Sequence, residues 1–429
     1  MTVVLIILFG LMLLGVPVAF AILSSGVTYL ATTGTSILVV AQRLVYGLNS
    51  FTLLAVPLFI LVGNLMDFGG ISKRLTDWAK SLLGWLPGGL GIVTVFSCAI
   101  FAALTGSGPA TVAAIGSIML PSMIKAGYSR ESSAGLVAAA GALGPIIPPS
   151  IPMIIYGVTM ELSIPAMFMA GVVPGLVIAG ALSLVNVFFA YRNPNVIEHS
   201  KAMKFDFKLS LKLFWKALGA LGLPVLILGG IYGGVFTPTE SAAIGVVYAL
   251  VLGFALRELK VKDLPKILIS SLKTSTMVNF IIAAASLFSW VVSKSQIGTA
   301  ISDAFISLVG GNRNMYLFVL VVVLLIVGCL MDNVAATLIL APILIPIGVT
   351  LGCNELHIGM LFCICLVVGF VTPPFGYNLF TAISISNLNF KQIVKGTLPF
   401  LIVEILLLFL FAYVPGIITW LPRLAGYGY

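Results

Sequence analysis

Charge is what this sequence has least of: 8% of its 429 residues are Asp, Glu, Lys or Arg, while 60% are hydrophobic. A soluble domain carries about a quarter charged residues, so a water-facing surface for a chain of this length is excluded. Histidine is nearly absent, and His199 and His357 stand far apart in the chain, which leaves neither a zinc site nor a catalytic triad to assemble. The five cysteines, Cys98, Cys329, Cys353, Cys363 and Cys365, are odd in number and include no Cys-x-x-Cys pair. They read as buried thiols and not as metal ligands. Basic residues are also missing from the start, since no Lys or Arg precedes Arg43. The apolar stretch Met1 to Leu14, followed by Ala19-Phe20-Ala21, imitates a signal peptide and its cleavage site. A secretory signal needs a charged leading region, so the first segment is expected to remain as a membrane span.

What the sequence does contain is apolar runs, repeated along its whole length. At about 20 apolar residues per crossing, spans are expected near 3–20, 22–40, 51–68, 134–158, 164–191, 214–235, 240–256, 274–293, 357–386 and 397–420. Two further apolar regions, about 88–125 and 314–350, carry a small, polar interruption at their centre. Each reads as a re-entrant hairpin of two half-crossings, because irregular backbone at membrane depth survives only where protein or a cavity shelters it.

The formal net charge of +9 does not signal nucleic acid. Eleven of the 22 basic residues lie in two short loops, Arg192 to Lys216 and Arg257 to Lys273, with no base-reading motif around them. Loops of this kind face the cytoplasm. With the N-terminus outside and the first two segments crossing, 18 of the 22 basic residues fall inside, leaving Arg43, Lys294, Arg313 and Arg423 outside. The first hairpin then enters from the cytoplasm and the second from the opposite side.

That arrangement implies an internal repeat, and matched residues support one. Ile71, Asp77, Leu104 and Thr111 recur as Ile297, Asp303, Leu330 and Thr337, all at an offset of 226. After one deletion, Pro121, Pro148 and Pro149 recur as Pro346, Pro373 and Pro374. The expected fold is an all-α polytopic membrane protein of two inverted-topology repeats, 1–200 and 201–429. Each would contain a re-entrant hairpin (88–125; 314–350) and a broken helix (134–158; 357–386). Inverted repeats with broken helices mark secondary transporters.

Two constellations carry the chemistry. In the first, the hairpin breaks at Thr105-Gly106-Ser107-Gly108-Pro109-Ala110-Thr111 and the next span breaks at Gly144-Pro145-Ile146-Ile147-Pro148-Pro149. In the second, the corresponding stretches are Met331-Asp332-Asn333-Val334-Ala335-Ala336-Thr337 and Gly369-Phe370-Val371-Thr372-Pro373-Pro374. Proline removes a backbone donor and frees the carbonyls before it. Those carbonyls, with hydroxyl and amide oxygens from the tip, form a hard oxygen set suited to Na⁺, while half-helix N-termini favour an anionic substrate group. Coupling to protons would require an intramembrane carboxylate or histidine, and the first tip has neither. Asp332 is open to two readings, cation ligand or helix cap. Asp67, Glu161 and Glu240 fall near span ends, and Glu404 lies inside the last span without an assigned role.

The motifs Gly106-Ser107-Gly108-Pro109-Ala110-Thr111-Val112-Ala113-Ala114-Ile115-Gly116-Ser117, Ala126-Gly127-Tyr128 and Gly144-Pro145-Ile146-Ile147-Pro148-Pro149-Ser150 resemble the large membrane subunit of tripartite ATP-independent periplasmic (TRAP) transporters. Gly63-Asn64-Leu65-Met66, Pro238-Thr239-Glu240-Ser241-Ala242-Ala243 and Thr372-Pro373-Pro374-Phe375-Gly376 extend the resemblance over essentially the whole chain. The resemblance implies an elevator-type ion-transporter fold in a bacterial inner membrane. It implies Na⁺-coupled import of an organic acid such as a C4-dicarboxylate or sialic acid, with Na⁺ as the coupling ion and no other cofactor. It also implies a periplasmic substrate-binding protein and a small four-helix membrane subunit as partners. Because the chain begins at the first large-subunit span, the small subunit is expected as a separate chain. By the same resemblance, one Na⁺ site maps onto Thr105, Ser107 and the carbonyls of Gly144, Ile147 and Pro148. A second maps onto Met331, Asp332, Asn333, Gly369, Thr372 and Pro373, with unequal binding expected because Ile147 faces Thr372 in the alignment of halves. Substrate is expected near Gly108, Thr111, Pro149, Asn333, Thr337 and Pro374. The nearest rival is a stand-alone Na⁺/anion symporter of the same superfamily. An enzyme is disfavoured because no paired carboxylates or nucleophile–base pair lies at membrane depth.

Overall fold

Proline and glycine decide where the apolar runs of this chain stop being helix. The computed structural model describes residues 2–295 and 297–428; Met1, Gln296 and Tyr429 lie outside the described residues. Among the described residues all regular structure is helical. The first half holds α1 (Thr2–Leu13), α2 (Val18–Thr33), α3 (Leu38–Leu48), α4 (Ala55–Phe68), α5 (Ile71–Leu83), α6 (Gly89–Thr105) and α7 (Gly108–Lys125). It continues with α8 (Arg130–Gly141), α9 (Ile151–Thr159), α10 (Ile164–Tyr191) and α11 (Pro194–Ala202). The second half holds α12 (Phe207–Tyr232), α13 (Pro238–Ala255), α14 (Leu264–Ser295), α15 (Ile297–Val309), α16 (Arg313–Leu330) and α17 (Asn333–Thr350). It ends with α18 (Glu355–Gly369), α19 (Tyr377–Ser386), α20 (Phe390–Tyr413) and α21 (Gly416–Leu424). Eight of the described helical segments are long and apolar enough to cross a membrane.

The expected spans match these helices closely, with two corrections. The segments placed at 3–20 and 22–40 are divided earlier, because Gly15 takes φ +81° and Pro17 holds an extended conformation (φ −54°, ψ 136°) before α2. The last span ends at Tyr413, not 420, where Val414-Pro415 interrupts it before the short α21. Helices α3, α5, α11 and α21 carry one apolar face or little apolar surface and leave no continuous run to be recognised. The regions read as hairpins hold the helix pairs α6–α7 and α16–α17, whose members have 17 or 18 residues. At about 1.5 Å rise per residue each arm is about 26 Å long, well beyond a half-crossing of roughly 15 Å.

Helix starts are set by ordinary capping chemistry. Thr237 and Glu240 form a capping box at α13, with the Thr237 N–H donating to Glu240 Oε2 at 2.8 Å. Asn389 and Gln392 do the same at α20. Glu240 thus has a structural role, and Asp67 accepts from the Ser72 hydroxyl at 3.1 Å.

The loops assigned to the cytoplasm gather at one end of the molecule. Arg74 at the start of α5 pairs with Glu258 after α13, and Lys80 donates to the Ser122 hydroxyl at 3.1 Å. Asn193 before α11 donates to the Gly127 carbonyl at 2.9 Å, and Trp85 packs on Phe205 with ring centroids 6.2 Å apart. The opposite end joins Thr239 to the Phe51 carbonyl at 3.2 Å and Tyr413 to the Asn314 carbonyl at 3.2 Å.

Within the bundle, the short helices after the breaks cross over. Helix α9 packs on α17, the second arm of the later hairpin, and α19 packs on α7, the second arm of the earlier one. Close backbone approach makes this density possible. A Cβ on Gly135 would stand 2.2 Å from the Gly396 carbonyl carbon, and one on Gly396 would stand 2.0 Å from the Glu131 carbonyl oxygen. Small residues let α8 and α20 touch backbone to backbone, the usual device of helices packed in lipid. Gly396→Val should therefore lower stability by roughly 1–3 kcal/mol through overpacking. A detergent thermal-unfolding measurement should show it, whereas Gly10→Val, where a Cβ meets nothing within 4 Å, should leave the transition in place.

Candidate functional site: two hairpin tips and two helix breaks

The first hairpin reverses in two residues. Gly106 takes φ +59°, Ser107 is extended (φ −132°, ψ 126°), and α7 begins at Gly108 with Pro109 in its first turn. The left-handed geometry at 106 is open to glycine at little steric cost. The Thr111 hydroxyl donates to the Ser107 carbonyl at 2.8 Å and lies 3.3 Å from Thr105 Oγ1, which also reaches the Phe101 carbonyl at 3.3 Å. The tip is thus tied internally through Thr105, Ser107 and Thr111, and the Ser107 hydroxyl is left uncommitted to capping α7.

The break that receives this tip runs from the end of α8 to Ser150. Pro148–Pro149 is cis. Ser150 closes the segment, donating to the Pro145 carbonyl at 2.5 Å and accepting from the Met153 N–H at 3.4 Å. Two close approaches seat the tip in the break. A Cβ on Gly144 would stand 2.5 Å from the Ser107 carbonyl oxygen, and one on Gly106 would stand 2.9 Å from the Pro149 carbonyl oxygen. Thr105, Ser107, Gly108, Thr111, Gly144 and Pro149 therefore meet at one locus, with Ile147 and Pro148 on the intervening loop. The Ile147 side chain turns away, toward Gly175 of α10, so its backbone carbonyl is the group it can offer. Among the described residues, no backbone hydrogen bond ends on the carbonyls of Gly144, Ile147 or Pro148.

The second constellation is built differently. Met331 is extended (φ −141°, ψ 162°), and Asp332 caps α17, its Oδ1 accepting from the Val334 N–H at 2.8 Å. Of the two readings open from sequence, the helix cap is the one with geometry behind it. Asn333 is buried, and neither its Oδ1 nor its Nδ2 has a partner. One turn on, the Thr337 hydroxyl is buried and unpaired as well. The break is again cis at Pro373–Pro374, but it seats on the first arm of its hairpin and not on the tip. A Cβ on Gly369 would stand 2.5 Å from the Gly328 backbone, and the Gly376 N–H reaches the Cys329 carbonyl at 3.4 Å. The Gly369 carbonyl accepts from the Thr372 N–H at 3.0 Å, and the Thr372 hydroxyl is bonded to the Val368 carbonyl at 3.0 Å. Fewer oxygens are uncommitted here than in the first break. Pro374 is exposed, next to Phe375 at 53% exposure.

One residue absent from the sequence-based set joins the two constellations. Asn378, at the start of α19, is fully buried. Its N–H donates across the second break to the Phe370 carbonyl at 3.0 Å, and its Nδ2 donates to the Ala138 carbonyl of α8 at 3.1 Å. Its Oδ1 has no partner and would lie 2.8 Å from a Cβ on Gly108. The signal in sequence was an amide four residues beyond Pro374, in the first turn of α19. Glu404, in contrast, is buried in α20 with both carboxylate oxygens unpaired.

Comparison with known proteins gives a consistent result. A family model described as "Tripartite ATP-independent periplasmic transporter, DctM component" matches residues 5–417. The isethionate TRAP transporter permease protein DctMQ of Oleidesulfovibrio alaskensis is 39% identical over 95% of this chain, which spans only 64% of that longer relative. The C4-dicarboxylate TRAP transporter large permease protein DctM of Pseudomonas aeruginosa is also 39% identical, with 94% of each chain covered. Among solved structures, Neisseria gonorrhoeae MtrF, titled as illuminating a class of antimetabolite efflux pumps, matches with a TM-score of 0.58 at 16% identity. It covers 90% of this chain and 86% of its own, a likeness of fold alone.

The capping role of Asp332 can be checked directly. Asp332→Ala should cost about 1 kcal/mol of stability, as loss of an N-cap does. Asp332→Asn, which still caps, should cost a few tenths at most. Equal losses in thermal unfolding would remove the cap reading.

Proposed function

As a member of the TRAP-transporter DctM component family, to which this chain belongs, we propose that it is a Na⁺-coupled importer of an organic acid anion, of the C4-dicarboxylate or sialic acid type. Family membership makes it a multi-pass inner-membrane permease, and relatives named as permeases support a transport role over a catalytic one. The observation that carries the finer reading is the first tip seated in the first break. There the carbonyls of Gly144, Ile147 and Pro148 accept no backbone hydrogen bond beside the hydroxyls of Thr105 and Ser107. Free carbonyls at membrane depth are a cost unless they face a ligand, and an oxygen set of this kind suits a hard monovalent cation better than a proton. The second set, Met331, Asp332, Asn333, Gly369, Thr372 and Pro373, has more of its groups committed, and it is the weaker site in this reading.

Two further parts of the proposal concern movement and assembly. The order of helices from α4 to α10 is repeated from α14 to α20, each with a hairpin and a broken helix, which supports inverted repeats over 1–200 and 201–429. The crossed packing of α9 on α17 and α19 on α7 makes the hairpins and broken helices one connected body, suited to move as a unit in an elevator-like step. Substrate would lie between the tips, near Gly108, Thr111, Pro149, Asn333, Thr337 and Pro374. Delivery by a periplasmic binding protein and support from a small four-helix subunit follow from the family reading.

Uptake into proteoliposomes tests all of this. A radiolabelled organic-acid panel should accumulate only with an inward Na⁺ gradient and only with both partners supplied. Gly144→Ala, which forces a Cβ against the Ser107 carbonyl, should reduce Na⁺-driven uptake at least about tenfold. Uptake by this chain alone would instead establish a stand-alone symporter, and equal drive by a proton gradient would overturn the cation-cage reading.

A further inference from the structure

We infer that one face of α12, carrying Lys208, Lys212 and Lys216, binds anionic phospholipid of the cytoplasmic leaflet. This surface lies outside the two constellations, and its occupant does not depend on which solute is carried. Helix α12 turns one side to the protein, where Ser210, Ala217 and Ala220 are buried and Phe214 packs on Trp78 of α5 with ring centroids 5.6 Å apart. At about 3.6 residues per turn the three lysines fall on the opposite side, and all of them are exposed. The packed side holds the lysine face in that direction.

Depth, missing counter-charge and apolar company separate this face from a loop that only sets topology. From Lys208 to Lys216 the axis advances about 12 Å, whereas the polar interface of one leaflet is roughly 6 Å thick. Counting about 20 residues back from Tyr232 puts Lys216 at the edge of the hydrocarbon, where lipid phosphates are the anions at hand and a long side chain can reach toward them. Among the described residues none of the three lysines has an ion pair or a side-chain hydrogen bond. Asp206, the nearest carboxylate along the chain, is taken up by the helix start, its Oδ1 accepting from the Lys208 and Leu209 N–H groups at 2.9 and 3.1 Å. Beside the lysines Phe207, Leu211 and Trp215 are exposed, and Leu218 and Val225 continue that apolar strip along the span. Lysines next to aromatic and aliphatic side chains at the membrane boundary suit an anionic headgroup and its acyl chains. Lysine is depleted at protein–protein contacts, which favours lipid over a protein subunit as the occupant.

The test uses the full-length permease in bilayers of phosphatidylcholine and phosphatidylglycerol, with one or the other lipid brominated. Trp215 is the reporter, its emission isolated by subtracting that of Trp215→Phe. Brominated phosphatidylglycerol should quench it more strongly than brominated phosphatidylcholine at equal content. That preference should fall about fivefold for each of Lys208, Lys212 and Lys216 changed to Gln, and it should weaken as salt is added. Changing Lys262, Lys391 and Lys395 to Gln removes as much charge from other exposed positions at the same end and should leave the preference in place. The single lysine variants keep the test open if the triple variant folds poorly. Equal quenching of the wild type by both lipids overturns the inference, as does a preference that survives in the triple variant or falls equally in the control. Loss of quenching by both lipids when the small membrane subunit is added would make this face a protein interface and overturn it too.

Discussion

Every backbone polar group that this chain leaves outside a helix at membrane depth has to find a partner in the protein. That single constraint organises the structure. The hairpin tips and helix breaks are the places where helical bonding fails, and they are packed into one another. The Ser107 carbonyl lies against Gly144, Gly106 lies against Pro149, and the Gly376 N–H reaches back to Cys329. Carbonyls that accept no backbone hydrogen bond remain in both breaks, among them Gly144, Ile147 and Pro148 in the first and Thr372 and Pro373 in the second.

Close approach is bought with glycine at each of these contacts, and with residue size more generally. Gly135 against Gly396, Gly328 against Gly369 and Gly144 against Ser107 bring main chains within distances that no side chain would permit. In a bilayer there is little hydrophobic gain from pressing helices together, so dense packing of small residues has to supply the cohesion. The result is a connected set of hairpins and broken helices in which α9 and α19 each lie on the opposite hairpin.

The two constellations are alike in sequence pattern and unlike in detail. The first break meets its hairpin at the tip, whereas the second meets its hairpin along the first arm. Asp332 caps α17 where Gly106 opens a left-handed turn, and the Gly369 carbonyl is occupied where the Gly144 carbonyl is not.

Much of this was legible in the sequence. Apolar runs of span length, the Pro-Pro pairs and the small polar interruptions gave the helical class and the positions where helices stop, because they depend on local chemistry: which residues bear side-chain charge, which lack an N–H, which tolerate positive φ. Local chemistry also misplaced the first boundary, where Gly15 and Pro17 lie inside one apolar run, and it could not reveal α3, α5 or α21, which carry no continuous apolar signal. What only the tertiary structure decided is who meets whom. Asn378 stands 240 residues from Ala138, and their bond follows from the packing of α19 on α7 and α8, which no local pattern encodes. Asp332 as a cap and Glu240 in a capping box are local matters, each bonded within three residues. That Asn333 is a buried, unpaired amide depends instead on the partners that packing brings, or fails to bring, within about 3 Å of it, and distance along the chain carries no record of that.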